Sequence, residues 1–105
     1  MVKVNPEDVP LLVEAILLWT GKGYSAFPRY DDSQLINRFG GETTSKLFPI
    51  IKSLMDEFYS SDARYTAANL QEMWKMASEH FRKKHPEIPE QIVEAFAWCY
   101  TYDYK

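Results

Sequence analysis

Two histidines, one cysteine and a scatter of carboxylates are the residues of this chain able to do chemistry, and their spacing limits what they can do. His80 and His85 are five positions apart. On a helix, at about 100° per residue, that separates them by roughly 140°, so they cannot close on one metal as an i, i+4 pair does. Cys99 is the only thiol. A closed metal site would have to borrow carboxylates from elsewhere, and neither a metal nor another cofactor is expected. As a nucleophile Cys99 would need a base beside it. It shares a helical face with Ile92 and Phe96, where a free cysteine behaves as a small buried hydrophobe. Asp56 and Glu57 are adjacent, hence about 100° apart, and read as a solvated helix face rather than an acid/base pair. Glu79, with Arg82 at i+3 and Lys83 at i+4, reads as helix support.

Two glycine features have only the outline of anion-binding loops. Gly21-Lys22-Gly23 lacks the spacing, the following Ser or Thr and the preceding strand of a phosphate loop. Gly40-Gly41, ahead of Thr43 and Thr44, reads as a helix stop followed by a helix capped by its own threonine. No nucleophile, base and orienting group assemble from local spacing, so enzymatic activity is not expected.

Recognition has better candidates. Residues 21–31 (GKGYSAFPRYD) follow neither period 2 nor period 3.6 and form a long loop carrying Tyr24, Phe27, Arg29 and Tyr30, residue types that interface centres favour. Phe27 and one tyrosine could equally plug an open end of the bundle. At the other end of the chain, Tyr100, Tyr102 and Tyr104 fan around a helix axis with Asp103 among them, so they cannot all be core. Packing of this last turn on Trp19 or Trp74 is the competing reading. These eight residues are the expected partner-binding set.

The elements that must position them are helical. Asp8 is the expected cap of a first helix with Val9, Leu12, Ile16 and Trp19 on one face and Leu11, Ala15 and Leu18 beside it, apolar nearly all round and hence central. Asp31 or Asp32 opens a short helix through Leu35, Ile36 and Phe39, closed by Gly40-Gly41. Leu47, Ile51, Leu54 and Phe58 predict a third helix, in which Pro49 kinks the first turn or delays the start. Thr66 is the expected cap of a fourth, with Leu70, Met73, Trp74, Ala77 and Phe81 inward. After a connection at residues 85–89 a fifth buries Ile92, Phe96 and Cys99. No β-branched run alternates with polar residues. The fold class is therefore all-α, a single compact bundle of four main helices plus one short helix, in one domain over residues 1–105.

Length and charge bound the function. At 105 residues and 12.3 kDa the chain removes about two thirds of its surface from water on folding. Its formal charge of −3 gives no general attraction to nucleic acid, and the apolar run at Val9 to Trp19 is too short and too interrupted to span a membrane. A lone cysteine favours a reducing compartment, the cytoplasm. Acids and bases balance over residues 1–84, so the net charge lies in the tail, where Glu87, Glu90, Glu94 and Asp103 face Lys105 alone. In size, acidity and helicity the chain is similar to small immunity or inhibitor proteins, without a matching motif. That similarity implies a small acidic cytosolic protein-protein interaction module that masks a basic partner. The alternative is a small-molecule site inside the bundle lined by Trp19, Phe48, Met55, Phe58 and Trp74.

Overall fold

A computed structural model of the protein describes residues 4–105, and among them no strand occurs. Pro6–Asp8 form a 3-10 turn that feeds α1 (Val9–Thr20). Asp8 holds the cap position, but its carboxylate makes no cap hydrogen bond and lies 3.5 Å from Lys46 Nζ instead. Leu12, Ala15, Ile16 and Trp19 are buried as predicted, whereas Leu11 is 39% exposed, so α1 is not sheathed on all sides. Gly21, left-handed at φ 85°, ends the helix and donates to the Leu17 carbonyl.

The short second helix and the third form one run, α2 (Asp32–Tyr59), kinked where they were expected to part. Gly40 sits at φ 82°, ψ 163°, a region essentially closed to other residues. Pro49 neither delays the helix nor ends it. It is exposed, as is Ser45, whose carbonyl loses its helical donor there, so water can take the place of the missing N–H.

A single turn, α3 (Ala63–Thr66), precedes α4 (Leu70–Lys84). Thr66, expected to cap α4, instead ends α3. The cap is Asn69, whose side chain accepts a 2.8 Å hydrogen bond from the Glu72 N–H. Met73, Ala77 and Phe81 are buried, but Leu70 stays 46% exposed, because the helix begins later than expected and its first residue lies beyond the core. In α5 (Glu90–Asp103), Ile92, Phe96 and Cys99 all face inward. Phe58 lies among Phe81, Phe96 and Tyr100, with ring centroids 5.3, 5.9 and 5.8 Å away. Such pairs each add about 0.5–1.5 kcal/mol beyond area burial and lock α2, α4 and α5 together. The all-α bundle read from the sequence is the fold observed.

Candidate functional site: the loop 21–31 and the end of α5

The loop after α1 is irregular but tied down. Arg29 N–H donates to the Thr20 carbonyl and Asp31 N–H to that of Trp19, both at 3.0 Å. The returning chain thus satisfies carbonyls that the end of a helix leaves open. Close packing depends on Gly21: a Cβ there would lie 3.1 Å from Ser25 Cβ and within 3.7 Å of the Arg29 methylenes. Pro28 is buried beneath the loop, while Tyr24 and Phe27 are 74% and 53% exposed.

This loop lands on the last turns of α5. The Phe27 ring stacks on Tyr102 at 6.5 Å, and the Lys105 ammonium sits 4.2 Å above the same tyrosine. Lys22 lies over Trp98, one turn back on the same stripe of the helix. On the other side of α5, the Arg64 guanidinium stands 4.7 Å from the rings of both Tyr65 and Tyr104. Tyr24, Phe27, Tyr65, Tyr102 and Tyr104 are the large rings left exposed at this end.

Between the two sides, Tyr30 and Tyr59 both donate to Oδ2 of Asp103, at 3.1 and 2.6 Å. Burial pushes both phenols well above their ordinary value; for Tyr59 the hydrogen bond to Asp103 adds to the effect. Both therefore stay protonated and keep donating. Tyr30 adopts φ 54°, the one positive φ at a non-glycine among the described residues. Its ring rests 5.2 Å from Trp19, whose indole N–H donates to Asp32 at 2.7 Å. Burial also pushes the neighbouring Cys99 thiol up to about 12.

Of the eight expected residues, Phe27, Tyr30, Tyr102, Asp103 and Tyr104 come together at this end of the bundle, whereas Tyr24 and Arg29, on the same loop, border a separate hollow with Leu18 and Gln34. Tyr100 does not belong with them. It is fully buried, its hydroxyl donating to the Ser61 carbonyl at 2.9 Å and accepting from the Arg64 N–H at 3.0 Å. Tyr104, one turn on, also lies against Arg64 of α3 but stays at the surface, so of the three tyrosines Tyr100 alone is buried. The tail's acids are also less free than its composition suggests: Glu87 faces His85, Glu90 pairs with Arg82, and Asp103 holds the two phenols.

Comparison with protein-family models, with curated proteins and with solved structures returned no match.

Sequence reasoning missed Tyr59, Arg64 and Tyr65. Tyr59 stands just off the apolar stripe that ends at Phe58, an aromatic without a place in the core pattern, and that is a usable signal. Arg64 and Tyr65 lie in a stretch read as a connection. Glu57 and His85 were missed as a pair. His85 is buried, with Nε2 2.7 Å from a Glu57 carboxylate oxygen and Nδ1 3.2 Å from one of Glu87, so Glu57 is no merely solvated side chain. Of the residues expected to line a ligand site, Trp19 and Met55 border an open cleft, Phe48, its ring 5.6 Å from that of Trp19, lines a neighbouring groove with Ile36 and Thr44, and Phe58 fills the core.

Proposed function

We propose that this protein is a non-catalytic binding module that recognises another protein through the aromatic face built from Tyr24, Phe27, Arg29, Tyr102 and Tyr104, extended by Tyr65. One observation carries the reading: Phe27 stacks on Tyr102 while Tyr30 hydrogen-bonds Asp103, so the loop after α1 and the end of α5 present partly exposed rings side by side. Tyrosine and arginine at the centre of such a face are what hot spots favour. The buried thiol of Cys99 supports binding over catalysis and fits a reducing compartment, the cytoplasm. An inhibitor or immunity-type role, masking its partner's active surface, follows from size, acidity and helicity alone. A basic partner is retained in this reading on the strength of the net charge, with Glu94 the tail acid that has no internal partner among the described residues.

The test is capture of a stoichiometric partner from a lysate of the source cells by wild type and by a Phe27→Ala/Tyr102→Ala variant. Both rings are about half exposed, so the variant is expected to lose less than about 1 kcal/mol of stability and to lose the partner. Equal capture by the two proteins would overturn the reading. Binding to a basic partner steered by charge weakens as salt rises, whereas binding through rings changes little.

A further inference from the structure

The side of α2 that carries Lys52 and Met55 does not close against α1 and α5. An open cleft of about 300 Å³ remains, bordered by Trp19, Tyr30, Lys52, Met55 and Asp103. That volume is at the small end of ligand sites, which run from roughly 300 to 1,000 Å³. Its walls are aromatic and thioether; its charged groups are one ammonium and one carboxylate.

Both have capacity left over. The two phenols bond Oδ2 of Asp103, and Oδ1 has no partner among the described residues. Lys52 lies 5.9 Å over the Trp19 ring and has no carboxylate within ion-pair reach among them. Tyr30, which braces Asp103 from inside the cleft, is held in the left-handed conformation already described. Strain of that kind persists where the surroundings over-determine a residue, and it clusters at binding sites.

We propose that this cleft binds a small zwitterion of the α-amino-acid class with an apolar side chain. The ligand's ammonium meets Oδ1 of Asp103, its carboxylate meets Lys52 Nζ, and its side chain lies against Trp19 and Met55. A simple cation or anion would satisfy one of the two protein charges and bring its own charge close to the other, of like sign; a zwitterion answers both. The cleft adjoins the protein-binding face through Tyr30 and Asp103, but Phe27→Ala/Tyr102→Ala leaves Trp19, Lys52 and Met55 untouched, so the two readings are tested apart.

The test is a titration of the ¹⁵N-labelled full chain with L-leucine and L-phenylalanine, followed by the Trp19 indole and Tyr30 amide signals. N-acetyl-L-phenylalanine amide, which lacks both charges, is the control. Saturable shifts with the free amino acids are expected, weakened at least roughly tenfold in Lys52→Met, the loss typical of one charge-assisted contact. Lys52 is exposed, so that variant keeps its fold. Asp103→Asn, checked by its melting temperature, should weaken binding similarly. Absence of saturation by about 10 mM, unchanged affinity in Lys52→Met, or equal binding of the uncharged control would each overturn the proposal.

Discussion

The last turn of α2 anchors two polar clusters that differ in one respect. Glu57 reaches back to His85 at the end of α4, and there every polar atom of the buried ring has a carboxylate partner. Tyr59, two residues on, reaches Asp103 at the end of α5, where a carboxylate oxygen and the nearby Lys52 keep unused bonding capacity. The first cluster is closed and the second open. A buried ring with both nitrogens engaged serves the fold. Exposed groups braced by half-buried phenols are positioned for something that arrives from outside.

Three measurements can break or sharpen that contrast. Alkali should have the largest effect. Tyr30 and Tyr59 release their protons at an ordinary 10.0 in the unfolded chain, and Cys99 at 9.0, but all three hold them to higher pH when folded. Raised values mean that the stability at stake is fully present below about pH 9 and is lost as pH rises from there. Phenolate absorbance from Tyr30 and Tyr59 should therefore appear only together with the loss of helical circular dichroism. Ionisation of both in a folded protein would show that they are not sealed.

His85→Ala comes next. It leaves Glu57 half-buried without its partner and opens a void beside the Phe81 ring, 5.1 Å away. About 2–3 kcal/mol of stability should be lost in urea unfolding. Asp103→Asn, at an exposed position, should cost about 1 kcal/mol or less. If the two variants lose equal stability, the distinction between closed and open clusters fails.

The sequence made the apolar stripes plain: Leu47 to Phe58, Met73 to Phe81 and Ile92 to Phe96 are buried where helical spacing puts them. Gly40, read as a helix stop, does interrupt the helical geometry, but as a kink within one run, and that much was legible because its φ and ψ are a local matter. Pairings between distant segments were beyond it. Loop and tail each stood out by composition, but nothing in either shows that Phe27 would find Tyr102. Tyr100 was misplaced for the same reason: alternate tyrosines on a helix are equivalent until the Ser61 carbonyl, just ahead of α3, and the Arg64 N–H within it engage one of them. The cap of α4 is a different kind of miss. Asn69 with Glu72 three residues on is a local N-terminal signature that was there to be read, and it was overlooked when Thr66 was taken as the cap.

Residues 57 and 59 project about 200° apart around the α2 axis, and each is claimed by a different neighbour. The helix is thereby fixed in rotational phase by two opposed tethers. Deleting one residue between Leu47 and Glu57 would leave composition and length almost unchanged, yet turn this last turn by about 100° and detach both tethers together. The azimuth of one helical turn, more than the identity of any single side chain, couples the end of α4 to the end of α5.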